Sequence, residues 1–104
     1  MPYFYIYETV TFPIQLSDTE ALQNYDKVVV SVWQKGGTQV DISDPSVNEE
    51  TGTITIRLDQ NDTAKFVKGT AMVQVNIYYK DQERDVSTTA KIQVLDNLYK
   101  KVMS

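Results

Sequence analysis

The chain has 104 residues, of which 41% are hydrophobic and 23% are charged, and its formal net charge is −4. That length suits one domain, and we expect residues 1–104 to form it. Cysteine and histidine are both absent, which excludes disulfides, thiolate or imidazole metal ligands and the commonest general base in catalysis. The acidic balance argues against binding to the phosphate backbone of a nucleic acid.

The N-terminal segment alternates with a period of two, as a β-strand does. Its even positions from Phe4 to Leu16 are mostly apolar, and we expect them to face a core. Tyr3, Tyr5 and Tyr7 share the opposite face of this strand. No signal peptide is predicted, because the segment lacks a basic start and a small-residue cleavage site. No apolar run is long enough to span a membrane.

The middle of the chain contains a helix-start signal and a hairpin signal. Residues 17–20 match a capping box, which predicts a short helical turn through Leu22, with an extension to Tyr25 as one alternative. Residues 27–34 are apolar on both faces, which is typical of a central strand or of one whose second face a partner covers. Gly36-Gly37 predicts a hairpin turn into a return strand at residues 38–43.

A strand is predicted at residues 53–58, and one or two helical turns follow it. Asp59 is a suitable N-cap for that helix, and Gly69 is placed at its C′ position. Alternating strands are predicted at 70–80 and 83–95. The spacing predicts an all-β, immunoglobulin-like antiparallel β-sandwich of about six or seven strands, with one or two short helical insertions.

The 14 acidic residues raise the questions of carboxylate catalysis and of calcium binding. Most of them stand at turns and helix starts, where capping explains them. Glu8, on the inward face of the first strand, is the exception. Residues 59–62 lack the alternating acids, the glycine and the distal glutamate of an EF-hand loop. We therefore predict no enzymatic activity, no catalytic residue, no metal site and no cofactor.

The seven tyrosines exceed what a small core requires. The three N-terminal ones either anchor a protein interface or pack within the chain, and both alternatives stay open. A third alternative is stacking of aromatic rings on sugars. The candidate residues for glycan binding are Trp33, Gln74, Asn76 and Tyr78.

Four segments carry a resemblance to a known family: FPIQLSDTEAL, YDKVVVSVWQKGGTQVD, TGTITIRLDQNDTAKFVKG and AMVQVNIYYKDQERDVSTTAKIQVLDNLYKKVM. Together they resemble small tail and baseplate structural proteins of Gram-positive bacteriophages and prophages. Their layout is similar to the N-terminal immunoglobulin-like domain of baseplate upper proteins. In this resemblance Leu58, Thr63, Phe66 and Gly69 carry the fold and not catalysis. The sequence ends without the helical, trimerising portion that follows in baseplate upper proteins.

The resemblance implies a non-enzymatic virion protein of the tail or baseplate, made in the bacterial cytoplasm, that acts through symmetric protein contacts. Its implied partners are other copies of itself, in a homo-oligomer, and other virion proteins, with no nucleic acid and no membrane. We expect the apolar edge strand at 1–7 and the short tail at 97–104 to provide these contacts. The alternative function is a carbohydrate- or host-receptor-binding module. The candidate interface residues are Tyr3, Tyr5, Tyr7, Leu98, Tyr99 and Val102.

Overall fold

The computed structural model describes residues 3–17, 22–80, 84–86 and 90–97, with the backbone alone at 84–86. One short helix, α1 (Gln60–Thr63), lies in this part of the chain. The strands in it are β1 (Tyr3–Tyr5), β2 (Val10–Gln15), β3 (Tyr25–Trp33), β4 (Gln39–Ile42), β5 (Ser46–Asn48), β6 (Thr53–Leu58), β7 (Gly69–Tyr79), β8 (Arg84–Val86) and β9 (Ala90–Leu95).

The described strands form two sheets. The larger sheet has the order β1-β9-β7-β3-β4, with β8 also paired to β7, and the smaller sheet has the order β2-β6-β5. Every pair is antiparallel except β1–β9, which is parallel. The two sheets form a sandwich, which confirms the predicted all-β, immunoglobulin-like fold class. The described residues form nine strands with one parallel pair, where about six or seven antiparallel strands were predicted, because two predicted strands are divided and β5 is an additional one.

The core lies between the inner faces of the two sheets. Alternate residues of β3, β6 and β7 supply most of it, since successive strand side chains point to opposite faces. Burying these aliphatic side chains stabilises the sandwich by roughly 25 cal/mol for each Å² of apolar surface removed from water. The buried residues of these three strands are Val28, Val30, Val32, Ile54, Ile56, Leu58, Ala71, Val73, Val75 and Ile77.

The first predicted strand is divided between the two sheets, so the prediction of one continuous strand was wrong. β1 pairs with β9 in the larger sheet, whereas β2 pairs with β6 in the smaller one. Between them, Tyr7 has a left-handed backbone with φ 68°, and the Glu8 N–H donates to the Tyr5 carbonyl over 3.3 Å. The turn exposes Glu8, which was predicted to face inward.

The helix predictions hold in part. Asp59 caps α1 as predicted, but the helix ends at Thr63, and Gly69 (φ 143°) opens β7 instead of standing at C′. The other predicted helical turn falls largely on residues 18–21, outside the described residues. Its suggested extension to Tyr25 is wrong, because Tyr25 begins β3.

Two further differences concern strands. β5 (Ser46–Asn48) was not predicted, and it pairs with β6 at the edge of the smaller sheet. The strand predicted at 83–95 is divided into β8 and β9. Both segments pair with β7, β8 opposite Asn76–Tyr78 and β9 opposite Gly69–Val73. The hairpin predicted at Gly36-Gly37 is confirmed, with positive φ at both glycines joining β3 to β4.

Candidate functional site

The outward side of β1 carries two exposed tyrosines. Tyr3 is 58% exposed and Tyr5 is 40% exposed. Their rings meet edge to face with centroids 5.8 Å apart. Tyr7 does not join them, because the turn after β1 packs its side chain partly against the core. Leu98, Tyr99 and Val102, the other candidate interface residues, lie outside the described residues.

The inward side of β1 holds the strand on the sandwich. Phe4 is buried, and its ring meets that of Phe66 edge to face, with centroids 5.5 Å apart. After the strand, the buried Ile6 donates its backbone N–H to the Leu95 carbonyl over 3.1 Å. The Asn97 side-chain amide in turn donates to the Ile6 carbonyl, also over 3.1 Å. β1 is therefore fixed from its inner side while its tyrosines face outward.

The outer face of the larger sheet carries Trp33, which lies at the end of β3 and is 38% exposed. The strand register places Gln39 of β4 and Met72 of β7 directly opposite Trp33, one on each side. Two residues earlier on β3, Ser31 pairs with Asp41 and Gln74 in the same way. We call this surface the Trp33 platform; it consists of Ser31, Trp33, Gln39, Asp41, Met72 and Gln74.

Asp41 is the charged group of the Trp33 platform. Its Oδ1 accepts hydrogen bonds from Ser31 Oγ over 2.6 Å and from Gln39 Nε2 over 2.9 Å. The hydrogen bond from Ser31 is the largest cause of a lowered pKa at Asp41, and the bond from Gln39 is the second. The slight burial of the carboxyl acts in the opposite direction and has the smallest effect. The carboxylate is thus ionised at neutral pH, and its orientation is fixed beside the indole.

The structure brings together only part of the predicted glycan set. Trp33, Gln74, Asn76 and Tyr78 share one face of the sheet, and Gln74 lies diagonally across from Trp33. Tyr78, however, is six residues beyond Met72 on β7, which places it about 20 Å along the strand from Trp33. Lys27 Nζ also lies 6.0 Å from the centroid of the Tyr78 ring. Tyr78 therefore belongs to the opposite end of the face.

The two candidate surfaces lie on the same side of the molecule. Tyr3 and Tyr5 pair with Gln93 and Leu95, on the outer side of β9. Between β1 and β3 stand the strands β9 and β7, so three strand spacings separate the tyrosines from Trp33. That separation is about 14 Å across the sheet. The two surfaces can consequently be altered independently.

Sequence reasoning missed Gln39 and Asp41 of the platform. Alternation along the predicted return strand at 38–43 was the available signal, because it places residues 39 and 41 on the face opposite to Val40 and Ile42. Their position beside Trp33 also required the hairpin register. Gln34 was missed as well. Its buried side chain binds the loop before β7, a role that no local pattern indicates.

The acidic segment at 59–62 is a helix cap in the structure. The Asp62 N–H donates to Asp59 Oδ1 over 2.9 Å, and the Asp59 N–H donates to Asp62 Oδ2 over 3.2 Å. Both carboxylates are thus engaged in a reciprocal capping box. Among the described residues, no three acidic side chains are grouped so that they could hold a metal ion.

Glu8 lies beside the chain crossing between the sheets. Its backbone carbonyl accepts a hydrogen bond from the buried Thr63 hydroxyl, over 2.9 Å. Its exposed carboxylate lies 3.4 Å from the Asn97 amide nitrogen, which donates to it.

In the part of the chain that the structure describes, no helix is long and apolar enough to cross a membrane.

Comparisons with known proteins give structural similarity alone. No family model and no curated protein matches the sequence. CopC from Methylosinus trichosporium OB3b superposes with a TM-score of 0.56 at 10% identity, covering 95% of this chain and 91% of that one. A candidate glycoside hydrolase from Bacteroides vulgatus ATCC 8482 also gives 0.56, at 8% identity. That match covers 95% of this chain but only 17% of the hydrolase chain.

A third solved structure is the immunoglobulin-like domain of mouse leukocyte-associated immunoglobulin-like receptor 1, in a strand-swapped dimer. Its TM-score is 0.45 at 15% identity, over 91% of this chain and 90% of that chain. At identities this low, similarity extends to the fold, and the fold does not carry the neighbours' activities with it.

Proposed function

We propose that this protein is a non-enzymatic structural component of a phage or prophage virion, of the tail or baseplate, that works by assembling with copies of itself. The sequence resemblance to tail and baseplate proteins supports the virion assignment. The observation that carries the assembly role is the exposed pair Tyr3 and Tyr5 on β1, which among the described strands is the last one at one edge of the larger sheet.

An edge strand offers backbone hydrogen-bonding groups on its outer side, and these can pair with a strand of another chain. β1 occupies such an edge, with β9 on its other side. Exposed tyrosines at the same place add apolar area and a polar hydroxyl with little loss of side-chain freedom, which makes them effective interface anchors. Strand pairing would set the register of the contact, and the tyrosines would supply most of its affinity.

The inner anchoring of β1 supports the same proposal. Phe4 lies in the core against Phe66, so the strand is held on its own domain while it presents Tyr3 and Tyr5 outward. A neighbouring subunit would then meet a preformed surface, and ordering a loose N-terminus would not weaken the contact.

The test is the solution mass of the full chain by light scattering over a range of concentrations. We expect a closed oligomer whose mass does not change with concentration. The double variant Tyr3→Ser/Tyr5→Ser should dissociate to monomers and keep the β-sheet circular dichroism of the wild type. Tyr7 is left unchanged because its side chain packs against the core.

Val67→Ser is the matched control, because Val67 is 65% exposed and lies outside both candidate surfaces. It should leave the oligomer intact. A wild-type monomer at every concentration, or a tyrosine double variant that remains assembled, would contradict the assembly role. The virion assignment is tested separately by mass spectrometry of phage particles purified after prophage induction in the encoding bacterium. Absence of the protein from those particles would overturn it.

A further inference from the structure

We propose that the Trp33 platform is a binding site for a neutral, β-linked glycan chain. This inference goes beyond assembly, since it uses residues of β7, β3 and β4, which lie two to four strand spacings from Tyr3 and Tyr5. It rests on the combination of an exposed indole with fixed polar groups on both sides of it.

The aromatic part of the platform is a single exposed ring on the outer face of the larger sheet. Trp33 is the only tryptophan of the sequence. It lies at the end of β3, and its side chain is 38% exposed. Met72, directly opposite on β7, adds a second apolar surface beside it. A pyranose ring has an apolar face of C–H groups that lies well on such a surface, while its hydroxyls point outward around the ring edge.

The polar part of the platform surrounds the indole. Gln39 lies on the β4 side, and Asp41 and Gln74 lie diagonally from Trp33 on the two flanking strands. Amide and carboxylate groups can each hydrogen-bond to hydroxyls, and a carboxylate forms the stronger, charge-assisted bonds. Binding sites for small molecules commonly combine an apolar surface with a few such convergent polar groups.

Asp41 is prepared for this role before a ligand binds. The bonds from Ser31 and Gln39 both reach Oδ1 and restrain the position of that oxygen. Oδ2 is then the oxygen that a sugar hydroxyl would meet. A group that is already oriented loses little conformational freedom on binding, which favours affinity.

The composition of the platform favours a glycan over a protein partner. The centre of a typical protein interface is depleted of charged groups and rich in large apolar side chains. Here a carboxylate, a hydroxyl and two amides stand around one indole and one methionine. The surface is a sheet face, so it suits a flat, equatorially linked chain better than a curved one.

The single tryptophan provides a direct readout. Cellohexaose and the fully N-acetylated hexaacetylchitohexaose are titrated into the full chain while the intrinsic fluorescence of Trp33 is measured, with the curved maltohexaose as the comparison sugar. We expect a saturable change with at least one of the two β-linked probes and a weaker or absent response to maltohexaose. No response to either β-linked probe would overturn the proposal.

Variants distinguish the platform from other surfaces, with calorimetry as the readout because Trp33→Ala removes the fluorophore. Trp33→Ala should weaken binding by about tenfold or more, equivalent to ~1.4 kcal/mol. Trp33→Phe should restore part of the affinity, and Asp41→Asn should weaken binding without changing the fold. Val67→Ala is the matched control at an exposed apolar position and should bind as the wild type does.

The assembly variant Tyr3→Ser/Tyr5→Ser separates this proposal from the proposed function. It should bind the glycan probes as the wild type does, even where it no longer assembles. Undiminished binding by Trp33→Ala would contradict the platform as the site. If Trp33→Ala instead dissociated the oligomer and no glycan bound, the platform would be a protein interface and the glycan proposal would be wrong.

Discussion

The side-chain amide of Gln34 forms a pair of hydrogen bonds with the backbone of Val67. Nε2 donates to the Val67 carbonyl over 2.6 Å, and Oε1 accepts from the Val67 N–H over 3.0 Å. Gln34 is buried just after β3, and Val67 lies in the loop between α1 and β7. One side chain therefore satisfies both backbone groups of a loop residue 33 positions away and fixes the chain entering the central strand β7.

Gln34→Ala should lower the free energy of unfolding by about 2 kcal/mol, because it leaves a donor and an acceptor of the Val67 backbone without their partners. Urea denaturation of the variant and the wild type measures the difference. Gln23→Ala is the matched control at an exposed turn position and should change stability by less than about 0.5 kcal/mol. Equal stabilities of the two variants would contradict a structural role for the Gln34 amide.

Thr63 joins α1 to the crossing between the two sheets. Its fully buried hydroxyl donates to the Glu8 carbonyl over 2.9 Å. Thr63→Val keeps the shape of the side chain and removes the donor, so we expect a loss of about 1–2 kcal/mol in thermal or urea unfolding.

Thr11→Val makes the same chemical change at an exposed position of β2 and should be nearly neutral. If Thr63→Val were as stable as Thr11→Val, the hydroxyl would contribute nothing to holding the two sheets in place.

Asn24 precedes β3 with a left-handed backbone, φ 61°, and its side chain is exposed. Asparagine adopts this conformation at lower cost than β-branched residues do. Asn24→Val should therefore destabilise the protein by about 1–2 kcal/mol, whereas Asn24→Gly should leave it within about 0.5 kcal/mol of the wild type. Differential scanning calorimetry checks the order. A valine variant as stable as the glycine variant would contradict this backbone geometry.

Asp41 gives the platform a defined pH dependence. Its pKa is lowered in the folded protein, chiefly by the hydrogen bond from Ser31. The contribution of Asp41 to folding stability is therefore fully present at pH values above the pKa of this carboxyl in the unfolded chain. It is lost as the pH falls through the lower pKa of the folded protein. Ser31→Ala should raise the pKa of Asp41 toward its ordinary value.

NMR titration of the Asp41 side chain measures this shift directly. Asp44→Asn removes a neighbouring exposed acid outside the platform and should leave the pKa of Asp41 unchanged. An unchanged Asp41 titration in Ser31→Ala would show that the hydroxyl does not stabilise the carboxylate. Glycan binding, if it uses the ionised carboxylate, should weaken over the same acidic range.

Much of the fold was predictable because the strands can be recognised from the local alternation of apolar and polar residues. Alternation along β6 and β7 places Ile54, Ile56, Val73 and Val75 in the core, and the structure buries all four. The hairpin at Gly36-Gly37 and the cap at Asp59 were equally predictable, since each depends on the backbone or side-chain chemistry of a few adjacent residues.

The division of the first strand was not predictable in this way. The apolar alternation of the even positions has the single exception of Glu8 and resumes at Val10, so it does not indicate a strand end. The backbone turns at Tyr7 because β1 and β2 pair with strands of different sheets. The end of α1 was mispredicted for a related reason. The backbone at Val67 is held by its hydrogen bonds to Gln34, and Gly69 is held by strand pairing at the start of β7. Both are long-range interactions, and they outweigh the preference of glycine for helix ends.

The sequence by itself determined the period of the strands, the hairpin at Gly36-Gly37 and the helix cap at Asp59, because these depend on neighbours along the chain. Only the tertiary structure decided which of them meet. Strand register set Gln39, Asp41 and Gln74 around Trp33 and placed Tyr78 at the far end of the same face. Register follows from pairing between distant segments, so a site built across strands exists only once the sheet has formed.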